Sequence, residues 1–397
     1  MNKLSIKNLD FKGKKVLCRV DYNVPLDGDQ VTDNKRIVAS LETVNHILEQ
    51  GGRLILMSHL GRPKGEVKPE YSLAPAYKAL AELINYPVSF SSTCIGSEAE
   101  EKANSLQDGQ VLVLENLRFH SEEESNDDNF SKQLSALGDI YVNDAFGTAH
   151  RAHASTAGVT KYFDQCACGF LINKELDFLG AAINNPERPF LAIMGGAKVK
   201  DKIPVLENLL PKVDRLIVGG GMTYTFLKAK GLTIGDSLLD EGNIEFAKEI
   251  MEKYPDKLVL AVDSLITNKL DFGTKSLGET KIVSGDIPDG WEGVDIGPKT
   301  IEIFGQEVLN AKTILWNGPM GVFEIAESAK GTMSVADKLA ETTANGACSI
   351  IGGGDSAAAV KKANLDSKMS HVSTGGGASL EFLEGKDLPG ISALTDV

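Results

Sequence analysis

Eight of the 41 basic residues are arginine: Arg19, Arg36, Arg53, Arg62, Arg118, Arg151, Arg188 and Arg215. Six fall within the first 151 residues and none follows position 215. Lysine serves for solubility, whereas arginine reads a carboxylate or phosphate with a planar fork. Arg62, Arg118 and Arg151 each follow a strand-like run within a few residues. In an open α/β sheet, ligands bind beyond the carboxyl ends of the strands. Arg36 opens a helical stretch, where backbone N–H groups also favour anions. Surface ion pairing explains any one of these residues at least as well as a ligand does. Four at such positions point to a small anionic ligand, while Arg19 and Arg53, inside or at the start of strands, read as structural. Asp21 and Asn23 follow the first strand and could meet a ligand hydroxyl and carboxylate, or form the turn before Pro25. His59 ends the second strand ahead of Gly61, Arg62 and Pro63, and His150 and His153 flank Arg151. A lone histidine is more often packed or capping, but the neighbouring arginines turn His59 towards ligand contact.

The second half offers different chemistry. Gly195-Gly196-Ala197-Lys198-Val199-Lys200-Asp201-Lys202 follows an apolar run and leads into a helical stretch. Lys198 and Lys202, four apart, are expected on one face of that helix near its N-terminus. Two ammonium groups beside free N–H groups make a polyphosphate site. Gly352-Gly353-Gly354-Asp355-Ser356 repeats the arrangement, with Asp355 and Ser356 where an N-cap belongs. Asp355 could cap that helix or hold a metal ion on phosphate oxygens, and position alone leaves both open. Thr374-Gly375-Gly376-Gly377 is a third glycine-rich helix start, and Gly219-Gly220-Gly221 closes another apolar run. No GxxxxGK[ST] and no GxGxxG after a strand is present, so neither a P-loop nor the dinucleotide fingerprint applies. Asp271-Phe272-Gly273 spells the protein-kinase tripeptide without the catalytic loop that should precede it, and reads as coincidence.

The elements that must carry these residues alternate. Strands are expected at 16–20, 53–58, 111–114, 140–142, 190–194, 216–218, 258–262, 313–316 and 349–351. Helices are expected at 35–49, 74–84, 126–137, 171–183 and 378–383. Alternating β and α segments indicate parallel sheets covered by helices on both faces, and the continuous apolar strands agree. The best division is 169–189, with a helix as connector. By spacing alone, the first half is an anionic-substrate lobe and the second a nucleotide-phosphate lobe, as in a two-lobe phosphotransferase.

Composition narrows the class. The chain has 397 residues, about two domains' worth, with 42% apolar and 24% charged residues. The net charge of −14 argues against a nucleic-acid partner. No apolar run approaches a membrane span, and the first ten residues lack a secretory core, so a cytosolic protein is expected. Five sparse cysteines fit a reducing compartment, and the Cys166–Cys168 pair reads as buried small residues rather than a metal site.

Arg19-Val20-Asp21-Tyr22-Asn23-Val24-Pro25 resembles a segment of the phosphoglycerate kinase family, with Tyr22 in place of Phe. Ser58 to Pro63, Glu115 to Phe119, Asn143 to His153, Gly195 to Lys202, Trp316 to Glu324, Gly352 to Ser356 and Ser373 to Ala378 are similar to the same family, in register from Asp10 onward. The resemblance implies an α/β fold of two doubly wound lobes joined by a helix and closing about a hinge. Its boundaries would be 1–170 for the phosphoglycerate lobe, 171–188 for the connector and 189–377 for the nucleotide lobe, with 378–397 returning to the first. It implies reversible phosphoryl transfer between ATP and 3-phosphoglycerate, with Mg2+, by a protein expected to be a monomer. Asp21, Asn23, Arg36, His59, Leu60, Gly61, Arg62, Arg118 and Arg151 would hold the phosphoglycerate. Lys202, Gly219, Gly220, Asn317, Pro319, Glu324, Gly353, Gly354, Asp355 and Ser356 would hold the nucleotide, Glu324 on the ribose and Asp355 on the metal. Arg36, Lys198 and the N–H groups of Gly375 and Gly376 would surround the moving phosphoryl group. Two other classes are weaker: an exported solute-binding protein would need a signal, and a dehydrogenase would need the missing fingerprint.

Overall fold

The computed structural model describes residues 2–397. The chain divides into two units, one of residues up to Asp177 together with Asp387–Val397, the other of Phe178–Lys386. The division falls inside the helix Phe170–Asn184.

Each unit is built on a six-stranded sheet whose pairings are all parallel. In the first the order is Val88–Phe90, Val111–Val113, Arg53–Met57, Lys15–Arg19, Ile140–Asn143, Cys166–Cys168. The strands are buried along most of their length because helices cover both faces, so apolar residues are needed at consecutive positions. The helix Lys35–Glu49 sets Ile37, Val44, Ile47 and Leu48 into the core, each contributing about 1.5–3 kcal/mol by leaving water. In the second unit the order is Leu258–Val259, Arg215–Val218, Phe190–Met194, Thr313–Asn317, Cys348–Gly352, His371–Val372. In chain order this is 3-2-1-4-5-6, the doubly wound arrangement that opens a crevice where its first and fourth strands part. An antiparallel sheet of Asp263–Thr267, Thr280–Ser284 and Glu292–Ile296 is inserted before the fourth strand.

Several elements differ from expectation. The edge strands Val88–Phe90, Cys166–Cys168 and His371–Val372 are two or three residues long, too short for a periodic signal. The helix expected at 126–137 is Asp128–Ser135, because Asn126 takes φ +55° and the Asp127 carboxylate caps the Phe130 N–H. The strand expected at 258–262 stops at Val259. The returning tail begins at Asp387, not 378. Helix Gly376–Leu383 stays in the second unit, where Asn208 Nδ2 donates to Leu383 O at 2.7 Å. Cys166 and Cys168 are buried thiols, pushed up to about 12 chiefly by desolvation. Among the described residues no helix is long and apolar enough to cross a membrane.

Candidate active site

In the first unit the loops after the carboxyl ends of the strands carry a basic cluster. Burial, then the guanidiniums of Arg19, Arg118, Arg151 and Arg36, hold His59 well below the usual imidazole range, so the ring is neutral. Arg19 Nη2 lies 3.1 Å from His59 Nδ1. A guanidinium only donates, so Nδ1 accepts and the ring proton sits on Nε2. Arg19, expected as a structural strand residue, therefore sets the state of a site residue. Its Nε donates to Ser155 Oγ at 2.9 Å, and that hydroxyl donates to Glu123 Oε1 at 2.6 Å. Glu123 is fully buried, and desolvation raises its pKa against the pull of Arg19.

Asn116 gave no signal beyond its place in a motif, yet it fastens this region. Its Oδ1 accepts from the N–H of Leu60 (3.2 Å) and Arg118 (3.0 Å), and its Nδ2 donates to Leu60 O (2.7 Å) and Tyr71 O (2.8 Å). Arg118 Nη1 donates to Gly61 O at 2.8 Å, and its Nε lies 3.2 Å from Glu124 Oε1 without hydrogen-bond alignment. Asn23 Oδ1 accepts from Gly61 N at 2.9 Å. Asp21 accepts from Asn23 N at 3.2 Å and pairs with Arg36 Nη1 at 2.8 Å. Asp21, Asn23, Arg36, His59, Leu60, Gly61, Arg118 and Arg151 are thus drawn into one cluster, with Arg62 exposed beside it. The Tyr22 hydroxyl lies 3.0 Å from Ser40 Oγ, which itself donates to Ile37 O. Tyr22 therefore donates to Ser40 and ties the first strand's loop to the helix that carries Arg36.

In the second unit a cavity of about 330 Å³ opens at the crevice, lined by Gly196, Gly220, Gly221, Pro319, Glu324 and Asp355 among others. Glycine is required where the loops meet. Gly220 has φ +66°, and a Cβ there would lie 2.8 Å from Gly196 N and 2.9 Å from Pro319 O. Gly318 has φ +103°, and a Cβ would lie 2.3 Å from Gly195 O. Only bare backbone allows that approach.

Two helix expectations are corrected here. Lys198 and Lys202 do not share a helix face: Lys198 is extended, Val199–Asp201 is a 3-10 turn, and the α-helix begins at Ile203. Lys198 is exposed, while Lys202 Nζ donates to Asn317 Oδ1. Nor is Asp355 or Ser356 an N-cap. Gly353, at φ +85°, holds that place, and both residues lie inside Gly354–Lys362. Ser356 Oγ instead accepts from Gly318 N at 2.6 Å, tying the helix to the fourth strand's loop.

The Asn317 Nδ2 atom is buried and has no partner. Leaving such a donor unpaired costs about 1–3 kcal/mol, so it is available to an oxygen acceptor. It lies beside Gly353, where a Cβ would meet it at 3.2 Å. The starts of helices Gly354–Lys362 and Gly376–Leu383 adjoin, since a Cβ on Gly376 would lie 3.4 Å from Gly354 N. Gly375 caps the second helix, its own N–H bonded to Ser373 Oγ at 3.3 Å. Burial lowers the Lys202 pKa, with Asp201, Asp355 and Glu384 opposing. Two helix N-termini, an ammonium and an unpaired amide suit phosphate oxygens. No cluster of three metal-ligating side chains exists among the described residues. A lone carboxylate, Asp355, fits an ion that arrives with phosphate oxygens, because Mg2+ takes one or two carboxylates and completes its shell with phosphate and water.

A doubly wound unit with a phosphate cradle at its switch point, and a second α/β unit bearing an arginine cluster, define a phosphotransferase with a small anionic acceptor. The phosphoglycerate kinase family model matches residues 6–386. Phosphoglycerate kinases of Pelodictyon phaeoclathratiforme and Chlorobaculum tepidum are 56% and 55% identical, over 100% of this chain and of theirs. The solved phosphoglycerate kinase of Coxiella burnetii superposes with a TM-score of 0.89 at 41% identity, covering 98% of each chain. That of Pyrococcus horikoshii gives 0.83 at 32%, again covering 98% of each. The chain belongs to the phosphoglycerate kinase family, and it is a phosphotransferase acting between ATP and phosphoglycerate in glycolysis.

Proposed function

We propose that the first unit binds 3-phosphoglycerate and the second binds ATP or ADP, and that the two close on each other for transfer. The observation that carries this division is the convergence of Arg19, Arg36, Arg118 and Arg151 on a neutral His59. A neutral Nε2–H donor among guanidiniums suits a ligand bearing a phosphate and a carboxylate, and offers no base. None is needed, because the acceptor is already a carboxylate. In transfer from ATP, a carboxylate oxygen bonds to the γ-phosphorus as the bond to the ADP oxygen breaks, and the reverse reaction retraces this path. Charge spreads over three oxygens, so the work is positioning and electrostatic stabilisation.

Asp21, Asn23, His59, Leu60, Gly61, Arg62, Arg118 and Arg151 would hold the phosphoglycerate. Lys202, Asn317, Gly353, Gly354 and Ser356 would hold the phosphates of the nucleotide, Gly219, Gly220 and Pro319 its base, and Glu324 its ribose. Arg36, Lys198, Gly375 and Gly376 would meet the phosphoryl group in flight. Asp355 would hold Mg2+, which would neutralise charge on the phosphate oxygens. Closure about a hinge would exclude water that hydrolyses an acyl phosphate. The protein would work as a cytosolic monomer with no membrane or nucleic-acid partner.

The test is a coupled assay of ATP-dependent phosphorylation of 3-phosphoglycerate. Turnover that needs both substrates and Mg2+ is expected. Absence of turnover with the purified chain would contradict the reading.

A further inference from the structure

Glu123 has no part in the transfer chemistry, yet a fully buried carboxylate is costly unless its charge is answered. Both of its oxygens accept, Oε2 from Ser155 N at 2.9 Å and Oε1 from Ser155 Oγ at 2.6 Å. Ser155 is fastened on another side as well, its carbonyl accepting from the Tyr141 hydroxyl at 2.8 Å. A serine hydroxyl has one proton, and Glu123 takes it, so Oγ meets Arg19 Nε at 2.9 Å as an acceptor. Arg19 is buried, and its other bonds run to Val20 O and, at 3.1 Å, to His59 Nδ1. A continuous chain of hydrogen bonds therefore runs from Glu123 through Ser155 and Arg19 to His59. Its members come from the helix Ser121–Glu124, the loop after Ile140–Asn143, the strand Lys15–Arg19 and the loop after Arg53–Met57. Arg19 lies in a cluster with Arg36, Arg118 and Arg151, where like charge repels it, and Glu123 supplies the opposite charge one hydroxyl away.

We propose that Glu123 and Ser155 are positioning residues for phosphoglycerate binding: they commit Arg19 to His59 Nδ1 and so reserve the His59 Nε2–H for the ligand. The proposal deepens the reading of the first unit as the phosphoglycerate site and rests on it. Which ring nitrogen of a histidine carries the proton is set by the hydrogen bond that the other one makes. Without the anchor at its Nε, the Arg19 fork is free to turn from the imidazole towards an anionic ligand, and His59 loses the donor that fixes its tautomer.

The test combines initial rates with nitrogen NMR of the histidine rings. The parent protein shows His59 as the Nε2–H tautomer. Ser155→Ala removes the bridge while leaving Glu123 beside His153, and Glu123→Gln removes the charge while keeping the shape. Each variant raises the KM for 3-phosphoglycerate about tenfold, lowers kcat less, leaves the KM for ATP as it was and mixes the His59 tautomers. Because the groups act in series, the double variant is no worse than Ser155→Ala. An unchanged KM and tautomer in Ser155→Ala overturn the proposal. So do losses that multiply in the double variant, which would mark two independent structural roles. A parent His59 protonated on Nδ1 overturns it even if neither variant folds. A parent protein that gives no calorimetric binding of 3-phosphoglycerate overturns the reading of the first unit itself, and the proposal with it.

Discussion

At Arg36, binding and catalysis can be separated by experiment. Nη1 is held 2.8 Å from Asp21 Oδ2, yet the side chain is 41% exposed, so other donors of the fork remain for a ligand. A contact that strengthens in the transition state lowers turnover when lost, whereas loss of uniform binding raises only the Michaelis constant. Initial rates should show Arg36→Ala losing about 10²–10³ in turnover at saturating phosphoglycerate. Lysine at this position should rescue little, because a point charge does not bridge two groups as a fork does. Arg62→Ala should mainly raise the KM for phosphoglycerate. Full turnover in Arg36→Ala would return the residue to the binding set and leave Lys198 as the catalytic cation. Residue type and spacing made most of this cluster legible, since arginines just beyond apolar strands have few other uses in such numbers. Arg19 is the structural strand residue expected, buried and bonded only to protein groups, but its contact with His59 was not legible because a sequence does not show which neighbour a buried strand residue meets across a sheet. Asn317 was legible only by family likeness, since its unpaired Nδ2 emerges from packing against Gly353.

The elements that position the cluster also fix its acid response. The loop after Ile140–Asn143 brings His153 against Glu123, 3.8 Å away. Burial and the guanidiniums of Arg118, Arg19 and Arg151 outweigh that carboxylate and push His153 down to about 4. The unfolded chain, with its imidazole near 6.5, binds more protons across the interval between the two values. Stability from this residue is therefore full above about pH 6.5 and is lost as pH falls towards 4, by up to about 3 kcal/mol. His59 shifts in the same direction. Urea unfolding at several pH values should show the first unit weakening across this window, with a shallower slope in His153→Gln. An identical slope in the variant would remove His153 from the explanation. The long central strands and the helix Lys35–Glu49 were readable from periodicity alone. The edge strands and the inserted antiparallel sheet were not, because two- to five-residue pairings take their stability from neighbours remote in sequence. The lysine pair at 198 and 202 was misplaced for a related reason, a 3-10 turn being indistinguishable from the first turn of an α-helix in sequence.

For the whole molecule, the two units hold different chemistry: guanidiniums and a neutral imidazole in one, helix N-termini, an ammonium and an unpaired amide in the other. The division of labour follows from the two sheets, each of which collects its loops at the carboxyl ends of its own strands. Each ligand should then bind without the other and supply only part of the differential affinity that favours a closed state. The most direct test is calorimetric titration of 3-phosphoglycerate, and separately of ADP with Mg2+, into the parent protein and Asp355→Ala. Asp355→Ala should lose affinity for ADP with Mg2+ by about tenfold or more, as loss of a carboxylate ligand to the ion implies, while its phosphoglycerate isotherm stays that of the parent. Collapse of phosphoglycerate binding in Asp355→Ala, with ADP binding intact, would contradict the assignment of one substrate to each unit.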